Sequence, residues 1–226
     1  THKNTNLPIL ITGLKLLKLK KYTVKLGSAQ CKSAMMIAAL KANGKTKLKC
    51  LPSRSHTELM FKNVLKIPVK LYKKKKYDFI EVDGMNEFKK FNYKIPGDIS
   101  SASFFIVLTL LSKKASLIIK NTNINPSRTG IIQILNMMGA KIKTLRKKKY
   151  KGELIADIFI KSNKNLKAIN LNPSLNSSAI DEFLLIFLVA SVSKGISTFN
   201  NLSELNKKAS KRLDLGIKIL KMMNIK

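Results

Sequence analysis

The feature that most limits how this chain can fold is a pattern that occurs three times along it. Each copy has an apolar helical stretch, a short turn, a strand of alternating pattern and a second, amphipathic helix. The apolar stretches start at Ser28, Asp98 and Asp181, and each of these residue types is suited to cap a helix. The copies lie roughly 70 to 80 residues apart, too far for a solenoid repeat. The sequence therefore predicts an α/β protein built from copies of one βαβαββ subdomain.

The pattern places the individual elements. Since the first helix of each copy is apolar almost all round, we expect it to be buried. Gly139 is expected just beyond the end of a helix, in the left-handed conformation that closes many helices. The predicted helices cover 28–40, 56–65, 98–110, 129–138, 181–190 and 211–223, and the predicted strands cover 45–50, 78–82, 116–120, 141–145, 156–160 and 196–199.

Arginine forms the sharpest pattern in a chain that otherwise uses lysine for its positive charge. Three of the four arginines, Arg54, Arg128 and Arg212, stand at the entrance to the second helix of their copies. A guanidinium offers two-pronged donors that lysine lacks, and a helix N-terminus adds backbone N–H groups. The pattern favours a phosphate or carboxylate site, while arginines tied to nearby loop carbonyls are the simpler alternative. For Arg128, a structural contact between domains is an equally good interpretation.

The net charge is unusual, with 44 Lys and Arg against 12 Asp and Glu, a formal total of +32. A surface for nucleic acid or an anionic membrane is one explanation. However, the excess is nearly all lysine and is spread along the whole chain, as an AT-rich coding sequence would produce. Runs such as Lys73–Lys76 and Lys147–Lys149 fall between hydrophobic segments, where loops belong. We therefore expect a solvated basic surface, whose field would also attract phosphate substrates, and no nucleic-acid or membrane partner.

Cysteine and histidine are too rare for several classes of site. Cys31 and Cys50 cannot form a disulfide framework, and we expect both to be buried thiols in a reducing compartment, the cytoplasm. His2 and His56 are too few for a multi-histidine zinc site. No apolar run reaches the length of about 18 residues that spans a membrane. The chain opens with Thr1 and not Met, so we expect the true start of the protein to be missing.

Five short runs of the sequence act as motifs, and they cover nearly the whole chain. The runs are GSAQCKSA at 27–34, PSRSHTE at 52–58, PGDISSASFF at 96–105, NPSRTG at 125–130 and IDEF at 180–183. In content, order and spacing they resemble the motifs of the 5-enolpyruvylshikimate-3-phosphate (EPSP) synthase family. The last run is similar to the family's I-D-E-x-P but lacks the proline.

The resemblance implies an inside-out α/β fold of two lobes, each made of three βαβαββ units, as in enolpyruvyl transferases. Residues 1–96 would be the later part of the first lobe, on the shikimate 3-phosphate side. Residues 97–226 would be two units of the second lobe. The chain would then be an internal segment of a longer protein, and we do not expect this segment to be active alone. The whole protein is expected to be a monomer.

The resemblance also implies a reaction that needs no metal or other cofactor, the transfer of an enolpyruvyl group from phosphoenolpyruvate to the 5-hydroxyl of shikimate 3-phosphate. Phosphate is released, as a step toward chorismate and the aromatic amino acids. Asp181 matches the proton acceptor for the hydroxyl, although a plain helix cap is the simpler interpretation of this residue from sequence alone. The implied site residues are Ser28, Ala29 (through its backbone), Gln30, Arg54, Asp181 and Lys208 for shikimate 3-phosphate, Gln30 and Arg212 for phosphoenolpyruvate, and Asp181 and Lys208 for catalysis.

The last family motif is altered in this chain, at 204–213. Ala209 stands where the family has a catalytic glutamate, Lys211 replaces an aspartate and Asn206 replaces an arginine. Losing a positioned general acid typically costs roughly 10²–10⁴-fold in rate. The alternative function is therefore a catalytically impaired descendant that keeps the fold as a binding protein.

Overall fold

The repeated pattern of the sequence corresponds to a repeated order of strands and helices in a computed structural model. The model describes residues 10, 12–13, 17, 21–25, 27–84, 87, 89–207 and 210–225. The chain divides into two compact units, residues 1–52 with 65–90, and residues 53–64 with 91–226.

The first unit is a four-stranded sheet with one helix against it. In the strand order β1-β2-β4-β3, the first pair is parallel and the other two pairs are antiparallel. The helix contacts β2 and β4. The elements are β1 (Lys21–Val24), α1 (Ala29–Ala39), β2 (Lys45–Cys50), β3 (Val69–Lys74) and β4 (Tyr77–Asp83).

The second unit begins with the short helix α2 (His56–Met60), which continues as a π-helical turn over Phe61–Leu65. Its main sheet is antiparallel, in the order β5-β7-β6. Two short parallel strands, β8 and β9, form a further pair. The elements that follow α2 are α3 (Ile99–Leu111), β5 (Ser116–Asn123), α4 (Gly130–Met137), β6 (Lys143–Tyr150), β7 (Glu153–Lys161), β8 (Asn170–Leu171), α5 (Phe183–Ser191), β9 (Thr198–Phe199) and α6 (Arg212–Met222). Single 3₁₀ turns cover Pro173–Ser178 and Ser203–Lys207.

Strand connectivity repeats between the units. Gly97 forms a parallel bridge with Thr122 in β5, just as β1 pairs in parallel with β2. The three strands β5-β7-β6 then follow the order of β2-β4-β3. The predicted βαβαββ unit is therefore present twice, and β8, α5, β9 and α6 repeat its first four elements.

Most predicted elements are confirmed, and the differences have physical causes. Gly139 has φ +99° directly after α4, as expected for a residue that closes a helix. The predicted strand at 196–199 is shorter, because only Thr198–Phe199 pairs with β8. The expectation of two buried thiols is wrong for Cys31, which lies on the exposed side of α1, while Cys50 is buried in β2.

The expectation that the first helix of each copy is buried is wrong for α1, where Ile37 is 58% exposed, and for α3. The helix α3 shows the reason. Its inner side packs against β5, β7 and α5, with Ile106 and Leu110 fully buried. On its other side, Phe104, Phe105 and Leu108 are 63%, 59% and 65% exposed. A helix can bury its whole circumference only when partners surround it, and α3 has them on one side. None of the described helices is long and apolar enough to cross a membrane.

Candidate active site

In the first unit, the predicted residues Ser28, Ala29 and Gln30 form the start of α1. Ser28 is the N-cap residue, and its Oγ accepts a hydrogen bond from the backbone N–H of Cys31 at 3.2 Å. The first turn has no acidic side chain, and Gln30 is exposed. The first N–H groups of a helix lack partners within the helix and carry the positive end of its dipole. The start of α1 can therefore bind an anion such as a phosphate group.

In the second unit, the Asp181 carboxylate lies between two arginines from distant parts of the chain. Arg54 donates from Nη2 to Asp181 Oδ2, and Arg212 donates from Nη1 to Oδ1 at 2.8 Å. The side chains of Arg54, Asp181 and Arg212 are 30%, 22% and 35% exposed, so solvent reaches all three. Two guanidinium groups against one carboxylate leave an excess of positive charge. The structure thus brings together three of the residues singled out from the sequence, in an arrangement suited to anionic ligands.

Arg54 is held in place by the residues that follow it. Asn125 donates from Nδ2 to Ser55 Oγ at 3.3 Å, and His56 Nδ1 lies 2.6 Å from Glu153 Oε1. Both partners belong to the second unit, where Glu153 opens β7. These two contacts attach the start of α2 to that unit and set the direction from which Arg54 approaches Asp181.

Glu153 is almost fully buried, with a side chain that is 7% exposed. Its Oε2 accepts hydrogen bonds from Asn123 Nδ2 and Asn125 Nδ2, both at 3.1 Å. Burial alone would raise the pKa of Glu153, but the hydrogen bonds from His56, Asn123 and Asn125 outweigh it, so the pKa lies below its ordinary value. Glu153 is therefore an ionised anchor for the segment that carries Arg54.

Arg212 is the first residue of α6, and Asn206 holds this helix start. Asn206 Oδ1 accepts hydrogen bonds from the backbone N–H groups of Leu213 at 3.0 Å and Asp214 at 3.3 Å. Its Nδ2 donates to Asp214 Oδ1 at 2.7 Å. An asparagine from the preceding 3₁₀ turn thus satisfies two N–H groups that a helix leaves unpaired. Asn206 stands where the similar family has an arginine, and in this chain it supports Arg212 by holding the backbone that follows it.

Glu182, the residue after Asp181, is 2% exposed and its side chain reaches the start of α3. Ser100 Oγ donates a hydrogen bond to Glu182 Oε1, and the same hydroxyl oxygen accepts one from Arg128 Nη2 at 2.7 Å. Burial raises the pKa of the Glu182 carboxyl, and the opposing hydrogen bond from Ser100 does not cancel the rise. Arg128 also pairs with Asp98, Nη2 to Oδ1 at 2.6 Å. We call Asp98, Ser100, Arg128 and Glu182 the helix-start network, since they join the starts of α3, α4 and α5.

The segment leading to Asp181 packs closely on the start of α4. A Cβ placed on Gly130 would lie 2.4 Å from Ser178 Oγ and 2.8 Å from the Ser178 carbonyl carbon. Only glycine permits this approach, because such distances are far below van der Waals contact. Gly130 therefore brings the chain before Asp181 against α4.

Two predicted site positions, Lys208 and Ala209, lie outside the described residues. Their relation to Asp181 and Arg212 remains a prediction. Within the ranges that the structure covers, no group of three or more His, Cys, Asp and Glu side chains could hold a metal ion.

Two acidic residues around this site, Glu153 and Glu182, were not predicted from the sequence as functional residues. Glu153 had no assigned role, and Glu182 entered only as a letter of a motif. A usable signal was present, because only 12 acids occur among 226 residues. An acid within an apolar segment of such a lysine-rich chain is as informative as an arginine.

Comparison with known proteins gives a consistent result. A family model described as EPSP synthase (3-phosphoshikimate 1-carboxyvinyltransferase) matches residues 1–226. A protein of that enzyme name from Caldicellulosiruptor bescii is 39% identical over 220 residues, covering 97% of this chain and 50% of the relative. Another from Ruthia magnifica is 39% identical over 225 residues, covering 99% and 50%. The chain thus spans about half the length of the curated relatives it matches.

Solved structures agree with this comparison. The EPSP synthase of Acinetobacter baumannii matches with a TM-score of 0.81 and 35% identity, over 91% of this chain and 45% of that one. An enolpyruvyl transferase, NikO of Streptomyces tendae, matches with a TM-score of 0.53 at 12% identity, over 79% and 43%, which concerns the fold alone. The predicted fold class, α/β with the repeated units of enolpyruvyl transferases, is confirmed.

Proposed function

The chain belongs to the EPSP synthase family, and from this premise we propose that the natural protein transfers the enolpyruvyl group of phosphoenolpyruvate to the 5-hydroxyl of shikimate 3-phosphate. The observation that carries the proposal is the Asp181 carboxylate held between Arg54 and Arg212. The reaction needs donors for two phosphates and a carboxylate, together with a base for the hydroxyl. The cluster offers both kinds of group within one unit.

In this proposal, Asp181 accepts the proton of the 5-hydroxyl as its oxygen bonds to C2 of phosphoenolpyruvate. C3 gains a proton, which gives a tetrahedral adduct. The adduct then loses phosphate from C2 and a proton from C3, and the methylene group is restored. Pairing with two guanidinium groups occupies both carboxylate oxygens of Asp181. Substrate binding relieves this, since Arg54 turns to the phosphate of shikimate 3-phosphate and Arg212 to phosphoenolpyruvate.

The remaining assignments rest on the family and on local geometry. Shikimate 3-phosphate is bound by Ser28, by Gln30 and by the backbone of Ala29. The capped start of α1, at the positive end of the helix dipole, suits its phosphate. Gln30 also contacts phosphoenolpyruvate. Lys208 contacts shikimate 3-phosphate and takes part in catalysis.

We assign residues 1–96 to one lobe and 97–226 to two units of the other. The exposed apolar side of α3, with Phe104, Phe105 and Leu108, supports a further unit packing in that lobe. The natural protein acts in the cytoplasm as a monomer, with small-molecule substrates and without nucleic-acid or membrane partners.

The deciding experiment measures phosphate release by the full-length natural protein given both substrates, beside an Ala209→Glu variant. A reaction without shikimate 3-phosphate is the blank. Release by the unmodified protein supports the proposal and means that another group replaces the missing glutamate. Release by Ala209→Glu alone would mean a synthase scaffold that lost its acid, which is the impaired descendant. Failure of both proteins, together with no binding of either substrate in calorimetry, would contradict the proposal.

A further inference from the structure

In the function proposed above, the two guanidinium groups that bond to Asp181, those of Arg54 and Arg212, turn to substrate anions. A base must stay within hydrogen-bond reach of the proton it takes. The residues that hold the backbone at Asp181 therefore matter most when substrates are bound.

We propose that Glu182 is the positioning residue for Asp181, and that it acts through Ser100 and Arg128. This inference rests on the proposed function and deepens it. The Glu182 side chain is buried and bonded to the Ser100 hydroxyl, which is bonded in turn to Arg128. Because Asp181 and Glu182 are adjacent, anchoring one side chain in the protein interior fixes the direction of the other.

The surroundings of Glu182 favour this role over proton transfer. Its carboxyl is 2% exposed and already committed to Ser100, so it does not reach substrate. The same Nη2 of Arg128 also pairs with Asp98, the cap of α3, at 2.6 Å. The anchor is thus the start of a helix whose inner side packs against β5, β7 and α5.

The backbone supports the same conclusion. Glu182 N–H donates to the Ala179 carbonyl at 3.0 Å, and its own carbonyl accepts from Leu185 and Ile186, both at 3.0 Å. Ala179 is fully buried beside Gly130. Asp181 therefore stands on a turn that is fixed before and after it, and the Glu182 side chain is the link from this turn to α3.

The first test compares Glu182→Ala and Glu182→Gln in steady-state assays of the full-length natural protein. The amide oxygen of glutamine can still accept the Ser100 hydrogen bond, and alanine cannot. We expect kcat to fall about 10- to 100-fold in Glu182→Ala, with KM for both substrates changed less than about threefold, since the substrate-binding arginines remain. Glu182→Gln restores most of the lost kcat. Asp157→Asn is the matched control, because Asp157 is a buried acid paired with Arg146 outside the helix-start network.

An effect confined to KM, or a Glu182→Gln variant as slow as Glu182→Ala, overturns the inference. If Glu182→Ala does not fold, Ser100→Ala removes the same link from the other side and carries the same expectation. A wild-type protein without turnover would contradict the proposed function and not this inference, so a second readout is needed that does not depend on activity.

That readout is the ¹⁵N side-chain spectrum of the arginines, of which residues 1–226 contribute four guanidinium groups, assigned by single Arg→Lys variants. Loosening Asp181 in Glu182→Ala must shift the signals of Arg54 and Arg212, both of which bond to its carboxylate. Arg146 is the internal control, since it bonds to Asp157. Restored signals in Glu182→Gln support positioning, and unchanged Arg54 and Arg212 signals in Glu182→Ala overturn it.

Discussion

Two apolar helices of the second unit, α3 and α5, each follow an aspartate in the sequence but begin in different ways. Asp98 precedes α3 in extended conformation, and its Oδ2 accepts a hydrogen bond from the backbone N–H of Ser101 at 3.1 Å. For α5 the N-cap position falls on Glu182, whose side chain makes no capping hydrogen bond. The carboxylate of Asp181 is directed to Arg54 and Arg212 instead. The plain cap interpretation therefore holds for Asp98 and is wrong for Asp181.

The difference teaches how to separate a structural acid from a candidate functional one. A capping carboxylate is bonded to a backbone N–H of its own helix, as Asp98 is in addition to its pair with Arg128, and loss of such a cap costs about 1 kcal/mol of stability. The carboxylate of Asp181 makes its bonds instead to two arginine side chains, 127 and 31 residues away. The start of α5 has no side-chain cap, and it is there that Asp181 joins the segments carrying Arg54 and Arg212.

The largest expected effect separates the two aspartates by activity. Asp181→Asn should lower kcat by about 10²–10⁴-fold, because an amide cannot accept the hydroxyl proton. Asp98→Asn should stay within about tenfold of wild type, since asparagine is an equally good cap. Phosphate release by the full-length natural protein measures both. Equal losses in the two variants would erase the proposed distinction.

The second prediction concerns the anchor that delivers Arg54 to the start of α5. Glu153→Ala should destabilise the protein by about 3 kcal/mol, because it leaves His56 and two asparagines without their buried partner. Urea unfolding measures this loss. Glu81→Ala, which removes a surface ion pair with Lys47, is the control and should leave stability nearly unchanged. A loss at Glu153 no larger than that of the control would show that the anchor is not important.

The third prediction concerns the start of α6. Asn206→Ala should cost about 1 kcal/mol, the usual effect of removing a capping oxygen. It should also raise KM for phosphoenolpyruvate, because Arg212 is the first residue of the helix that Asn206 holds. Asn163→Ala is the control, because it removes an asparagine oxygen that accepts a backbone N–H, that of Asn165, away from α6, and it should leave this KM unchanged. An unchanged KM in a destabilised Asn206→Ala protein would show that the Asn206 cap is not needed to place Arg212.

The smallest effects are opposite pH dependences at the two helix starts. Burial raises the pKa of Asp98, but the Ser101 hydrogen bonds and the Arg128 charge together hold the pKa below its ordinary value. Its contribution to stability is thus present above about pH 3.9 and is lost as the pH falls through the lower folded value. For Glu182 the folded pKa is raised, so stability is complete below about pH 4.3 and is lost as the pH rises through the folded value.

Urea unfolding of Glu182→Gln across pH 3.5 to 8 tests the second of these signs. The variant should match wild type in acid and become relatively more stable toward neutral pH, because glutamine avoids the ionised form. The charged groups that act on Glu182 are Asp181, Arg128 and Arg54. The substitution changes none of them. A relative loss of stability at neutral pH would mean that the ionised carboxylate is the favoured form.

Much of the fold could be predicted, because strand alternation, helix caps and turn residues are patterns within a few consecutive residues. The strand at 45–50 was predicted at its observed bounds, and Gly139 was placed correctly from its position after a helical run. Arg54, Arg128 and Arg212 were also found by position, since each stands at the entrance to a helix. Which acid each arginine meets was not predictable, because Asp181 is 127 residues from Arg54.

The sequence by itself determined the repeated unit, the order of its elements and the family, because periodicity, turn residues and motif spacing are properties of neighbouring residues. The tertiary structure alone decided that Asp181 leaves its helix to pair with two arginines, that Glu182 is buried against Ser100, and that one side of α3 stays exposed. These outcomes depend on which distant segments of the chain pack together. Burial and ion pairing are set by these long-range contacts, and a local sequence pattern does not contain them.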